Sequence, residues 1–177
     1  MKNIALIGFM GTGKTAVGKR LARLLGWEFV DTDTEIERLT GKSIPRLFAE
    51  DGEVRFRSEE NLLCRRLASR SRLVIATGGG MVLNPENVAL LKQNGILIKL
   101  YADPEVIVER VKAKRQRRPL LTGKVEERVR ELLAARAGAY DIAEFAVDTG
   151  KQDPESSARI IYNYLKERNY IGDRSEG

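Results

Sequence analysis

The chain contains no histidine, and that absence removes whole classes of chemistry. Without imidazole there is no Ser-His-Asp or Cys-His nucleophile system and no histidine-bound zinc. Any general base has to be a carboxylate or a lysine. Cysteine is almost missing as well. Cys64 alone cannot close an internal disulfide, and its place in the apolar-patterned stretch NLLCRRLA marks it as a buried structural thiol. Long hydrophobic runs are also lacking. The opening MKNIALIG is not a secretory signal, and no later stretch approaches the ~18 apolar residues of a membrane span. A soluble, cytoplasmic protein is expected. No linker, low-complexity segment or internal repeat interrupts the 177 residues, so one domain spanning 1–177 is expected around one core.

What the chain has in excess is positive charge. A net charge of +6 and a pI near 9.5 call for an anionic partner, either a nucleic acid or a small phosphorylated or carboxylated molecule. Charge alone does not choose between them.

Short apolar runs at 4–8, 28–30, 73–76, 96–101 and 145–147 have strand length, and most are too uniformly apolar for a sheet with one wet face. Between them, 14–25, 34–39, 53–69, 104–116, 124–137 and 154–168 carry apolar residues near helical spacing. Asn84-Pro85-Glu86, Asp103-Pro104-Glu105 and Asp153-Pro154-Glu155 each set a capping side chain before a proline suited to a first helical turn. The expected fold is an α/β protein, a three-layer α/β/α sandwich around a five-stranded parallel sheet.

The strongest local signal is ALIGFMGTGKTAVGKRLA. Gly8, Gly13, Lys14 and Thr15 complete G-x-x-x-x-G-K-[ST] between a strand and a helix, the context a Walker A loop requires. Backbone N–H groups of such a loop cradle phosphate, the lysine reaches the β- and γ-phosphates, and the hydroxyl binds Mg²⁺. The nucleotide-binding set read here is Gly11, Thr12, Gly13, Lys14, Thr15 and Ala16. In FVDTDTEIE, Asp31 and Asp33 are two residues apart at the end of the second strand, so extended backbone would project both to the ligand crevice. One acid could hold Mg²⁺ through its water shell while the other takes a proton from a substrate hydroxyl. The plainer alternative is a helix cap at Asp33 beside a solvated Asp31. Further on, VIATGGGMV puts Gly78, Gly79 and Gly80 directly after the third strand, where many nucleotide hydrolases carry a metal-binding acid. The basic run VKAKRQRRPLLTGK, broken by Pro119, reads as a lid over anionic phosphates at about 112–124. A nucleic-acid patch would need aromatic side chains among the bases, and 108–128 has none.

Taken together, GFMGTGKT, DTDTEIE, DGEVRFRSEE, TGGG, RRPLL and RAGAY, in this order and at these separations, closely resemble shikimate kinases of the P-loop, nucleoside-monophosphate-kinase-like group, from Lys2 to about Leu165. The resemblance implies transfer of the γ-phosphate of ATP to the 3-hydroxyl of shikimate, with Mg²⁺, by a cytoplasmic monomer without nucleic-acid or membrane partners. It implies that Asp31 replaces the usual acid of the third strand as outer-shell metal ligand, with Thr15 beside it. Asp33 then grips the ring hydroxyls and helps deprotonate one of them. Gly78, Gly79 and Gly80 line the shikimate pocket, and Arg57 and Arg136 bind its carboxylate. Arg118 becomes the lid arginine that contacts ATP and the transferred group. A helical segment at about 33–61 becomes the substrate-binding region.

Taken alone, Arg57 could equally be a surface partner of Glu53, and Arg136 an exposed last-turn arginine. The adenine contact stays open among Arg110, Lys114, Lys151 and Gln152. Two positions depart from the family pattern: Ala16 lacks a hydroxyl that many relatives have, and Gly138 stands where proline is common, which loosens the expected seat of Arg136. Another small-metabolite kinase, such as a gluconate kinase, and a nucleotide-dependent RNA-binding module are the alternative functions.

Overall fold

The computed structural model describes residues 2–115 and 124–172, with Arg115 described by its backbone only. Among these residues five strands form one sheet: β1 (Asn3–Ile7), β2 (Glu28–Asp31), β3 (Leu73–Ala76), β4 (Gly95–Tyr101) and β5 (Phe145–Asp148). Their order is β2-β3-β1-β4-β5 and every pairing is parallel. The helices are α1 (Lys14–Leu25), α2 (Thr32–Thr40), α3 (Ile44–Ala68), α4 (Pro85–Gln93), α5 (Pro104–Arg115), α6 (Val125–Ala135) and α7 (Pro154–Glu167).

Because strand side chains alternate between faces, β1 feeds two cores. Ile4 and Leu6 pack on one face with Val17, Leu21, Ile161 and Leu165 of α1 and α7. Ala5 and Ile7 face the other side, where Leu63, Leu67, Leu91, Ile107 and Val129 of α3 to α6 close the second layer. Both faces of the central strands are dry, which is why the strands read as continuous apolar runs.

Two expectations from the sequence change here. The helix expected at 53–69 is present after Gly52, and a further helical segment that the sequence reading lacked precedes it from Ile44, where Ser43 accepts from the Arg46 N–H, the two segments of α3 meeting at a kink. Gly52 has φ 82° and ψ 169°, a backbone shape open to glycine and strained for other residues, so the first helical segment ends there and the chain turns into a second. The second concerns the acids: Asp31, and not Asp33, caps α2, accepting from the N–H groups of Asp33 and Thr34. Asp33 is helical, so the two carboxylates share the crevice as cap and first-turn residue, and not as alternate residues of one strand.

The register puts Leu6, Ala76 and Asp31 level across β1, β3 and β2. The phosphate loop, the glycine triplet and the two acids therefore leave the sheet at one carboxyl edge, on the strands where a doubly wound sheet opens its crevice.

Candidate active site

At the start of α1 the Lys14 ammonium donates to the carbonyls of Gly8, at 2.6 Å, and Phe9, at 2.9 Å. Its side chain is buried. Burial pushes its pKa down to about 8, although the carboxylates of Asp33 and Asp31 pull the other way. The loop is braced from behind: Thr12 donates to the Phe9 carbonyl, and Thr149 donates to the Thr12 carbonyl at 2.7 Å. Arg110 reaches in from α5 to the carbonyls of Gly11, at 3.1 Å, and Thr149, at 2.6 Å.

The acids stand opposite. The Thr15 hydroxyl donates to Oδ2 of Asp31 at 2.7 Å, while Oδ1 of the same carboxylate receives the two N–H groups of α2. Asp31 is thereby fixed in place. Asp33 is different, because its Oδ1 is buried and has no hydrogen-bond partner among the described residues. Burial, seconded by the negative charge of Asp31, raises its pKa, and Lys14 only partly compensates. A buried acceptor left open in this way is a group prepared to receive a proton donor.

The purpose of three consecutive glycines emerges from what surrounds them. A Cβ on Gly78 would lie 2.7 Å from Asp33 Oδ1, and one on Gly80 would lie 2.7 and 2.8 Å from the two terminal nitrogens of Arg57. A Cβ on Gly79 would come within 3.4 Å of Arg136 Nη1. A side chain at Gly78 or Gly80 would require the Asp33 carboxylate or the Arg57 guanidinium to shift, whereas one at Gly79 would only touch Arg136. The backbone polar groups can be accounted for in full. The Gly78 N–H donates to the Thr32 hydroxyl, and the carbonyls of Gly78, Gly79 and Gly80 accept from the Met81 N–H, the Tyr140 hydroxyl and the Leu83 N–H. The N–H groups of Gly79 and Gly80 are left without a partner among the described residues. Two open amides beside two guanidinium groups have the chemistry that suits a planar anion.

Arg57 has two acidic neighbours on its own helix. The expected Glu53 contact is long, at 3.4 Å, whereas Glu60 accepts at 2.7 Å. Glu60 is 1% exposed, burial raises its pKa, and its Oε1 has no partner among the described residues. The sequence reading missed Glu60. Its position could have been noticed, because it falls on the buried helical stripe of Phe56, Leu63, Cys64 and Leu67. Arg136 is half-buried at the end of α6, with its guanidinium 5.7 Å from the Phe9 ring. Next to it, Gly138 has φ 77°, a conformation closed to proline, so the departure from the family pattern goes with a different turn. Cys64 is buried against Met81 and its thiol is pushed up to about 12, so it is inert packing.

A crevice of about 870 Å³ is lined by the loop from Met10 to Val17, by Asp31 and Asp33, and by Gly78 and Gly79, while Arg57 lines a neighbouring hollow with Glu53, Ser58 and Asn84, and Arg136 another with Phe9 and Tyr140. The far end of the crevice is formed by Arg110, Lys114, Gln152 and Pro154. Lys151, the remaining adenine candidate, is not part of that lining and pairs with Asp148 at 3.5 Å. Arg118 and residues 116–123 of the expected lid lie outside the described residues.

Comparison with known proteins agrees with this chemistry. The model of the family described as shikimate kinase matches residues 10–166. The chain is 63% identical over 171 residues to the shikimate kinase of Desulforudis audaxviator, covering 97% of this chain and 90% of the relative. It is 60% identical to that of Pelotomaculum thermopropionicum, covering 97% and 99%. Among solved structures, the shikimate kinase of Acinetobacter baumannii in complex with shikimate superposes with a TM-score of 0.86 at 40% identity, covering 95% of this chain and 94% of that one.

Proposed function

The chain belongs to the shikimate kinase family, and on that premise we propose how its residues divide the transfer of the γ-phosphate of ATP to the 3-hydroxyl of shikimate. The two open amides of Gly79 and Gly80, set between Arg57 and Arg136, are the observation that carries the assignment. They suit the carboxylate of shikimate and would be wasted on a neutral sugar. With that end held, the ring hydroxyls face Asp33, whose unpartnered Oδ1 accepts the 3-hydroxyl proton as the oxygen attacks phosphorus. A raised pKa makes Asp33 a stronger base than an exposed aspartate.

Little covalent work falls to the protein in phosphoryl transfer, so positioning and charge do most of it. Lys14 supplies a cation at the β- and γ-phosphates, and the amides of Gly11, Thr12, Gly13, Thr15 and Ala16 wrap the phosphate chain. Arg110, Lys114 and Gln152, with Pro154, form the adenine end of the crevice, and the contact to the transferred group is assigned to Arg118 of the lid at about 112–124, a residue outside those described. The segment at about 33–61 is the substrate-binding part of a single kinase domain.

The hydroxyl of Thr15 and the carboxylate of Asp31 are hard oxygen donors already 2.7 Å apart, which fits Mg²⁺. No group of three metal-binding His, Cys, Asp or Glu side chains stands together among the described residues. That is the sparse protein ligation expected of Mg²⁺ that takes its other ligands from phosphate and water. When bound, Mg²⁺ neutralises charge developing on the phosphates. We read the chain as a cytoplasmic monomer. The monomer is what the family resemblance implies, and no described helix is long and apolar enough to cross a membrane.

ADP release with shikimate, gluconate and AMP offered in parallel tests the assignment. Turnover with shikimate alone is expected, and comparable turnover with gluconate would overturn it.

A further inference from the structure

The glycines that let Arg57 and Arg136 approach the pocket leave a problem of their own. A peptide flanked by glycine on both sides has no Cβ to restrict it, so its orientation is poorly determined by local sterics. The Gly79–Gly80 peptide is such a unit, and it carries one of the two open amides. Its orientation is set from outside: the Tyr140 hydroxyl donates to the Gly79 carbonyl at 2.6 Å. The peptide is planar and trans, so its C=O and N–H point in opposite directions. Pinning the carbonyl on Tyr140 therefore turns the Gly80 N–H to the opposite side and holds it there.

Tyr140 is well placed for this work. Its ring is buried in the same cluster as Phe9, over whose ring the Arg136 guanidinium lies. It follows Arg136 by four residues on the turn that leaves α6. The positive charge of Arg136 is also felt at the phenol, opposing the stronger effect of burial, which pushes the phenol pKa up. One neutral hydroxyl thus sits where the amide half and the guanidinium half of the anion receptor meet.

We infer that Tyr140 is a positioning residue for carboxylate recognition, holding the Gly79–Gly80 peptide with the Gly80 N–H presented to the substrate. It touches no reacting atom. The inference rests on the carboxylate assignment made above, and the test separates the two.

Tyr140→Phe removes one hydroxyl and keeps the ring in the core. The KM for shikimate is expected to rise about three- to tenfold, the range for one net hydrogen bond, with kcat falling by less than KM rises and the KM for ATP unmoved. The second arm uses shikimate with its carboxylate reduced to the primary alcohol. Wild type should use this analogue poorly, and Tyr140→Phe should lose less than twofold further on it, because the amide that Tyr140 orients no longer has an anion to bind. An equal loss on both substrates would mean that Tyr140 acts through the fold, and would overturn the inference while leaving the carboxylate assignment standing. If wild type itself fails to distinguish shikimate from the analogue, the carboxylate assignment falls and the inference with it. Should Tyr140→Phe melt well below wild type, both arms are run at a temperature well below its midpoint, where loss on shikimate alone supports the inference and equal loss on both substrates overturns it.

Discussion

Burial of Lys14 gives ATP binding a pH dependence that can be worked out in advance. In the free protein its pKa is lowered from 10.5 to about 8, first by desolvation, with Asp33 and Asp31 opposing. Holding the ammonium charged in that pocket thus costs on the order of 3 kcal/mol relative to water. Phosphate oxygens favour the charged form, so bound ATP raises the pKa again and ATP binds the ammonium form preferentially. Affinity is therefore close to full well below the free-state value of about 8 and is lost as the pH rises through it. Lys14 is about nine-tenths protonated at pH 7 and about one-tenth at pH 9, so the apparent Kd for ATP should rise roughly tenfold between them. Near pH 8, binding should take up about half a proton per ATP. Isothermal titration calorimetry in buffers of different ionisation enthalpy reads both quantities. Lys14→Arg, permanently charged, should show neither. The Asp33→Asn change deletes the largest opposing charge, so the midpoint should move to lower pH. A Kd that stays flat from pH 7 to 9 in wild type would refute the reasoning, because Lys14 would then keep its proton despite being buried.

Three other outcomes are expected. Asp33→Asn, assayed at pH 6.5 where Lys14 stays charged, should leave the Kd for ATP within about twofold and lower kcat by roughly a hundredfold or more, since the amide keeps the shape but cannot take a proton; stopped-flow transfer rates and ATP titration check the two halves. Arg57→Ala should raise the shikimate KM about tenfold to a hundredfold and lower the melting temperature, because Glu60 is left charged and buried without its 2.7 Å partner; adding Glu60→Gln should recover much of the melting temperature without recovering KM, as read by calorimetry and steady-state kinetics. Arg118→Ala should depress kcat far more than Lys112→Ala, whose side chain is already committed to Glu126 at 3.1 Å, and equal losses would indicate a diffuse basic patch in place of a lid arginine.

The fold was readable because its signals are local and redundant. Each strand is a short apolar run, and Asn84 and Asp153 cap α4 and α7 as their Asx-Pro-Glu signatures announce. The segment of α3 before Gly52 was missed because Ser43-Ile44-Pro45 carries the same capping message in other residues, whereas the segment after Gly52 was read. In Asp31-Thr32-Asp33 the two acids are symmetric by sequence. Only the backbone reveals that the first closes the helix while the second is left with an open oxygen. Glu60 and Tyr140 were overlooked for a related reason. Their importance comes from contacts made by one atom, to Arg57 within a helix and to Gly79 across 61 residues; periodicity marks Glu60 as buried without naming its partner, and neither composition nor periodicity marks the contact of Tyr140.

The receptor at Gly79 and Gly80 also bears on how this enzyme could escape an inhibitor. Resistance usually arises by replacing the side chain that a drug grips. On the assignment proposed above, part of the grip is main chain, which only a change to proline can delete, and a substitution at Gly80 brings a Cβ to within 2.8 Å of both terminal nitrogens of Arg57, so that the guanidinium must shift. A compound that draws its affinity from those two amides is then expected to meet escape variants that also weaken shikimate binding.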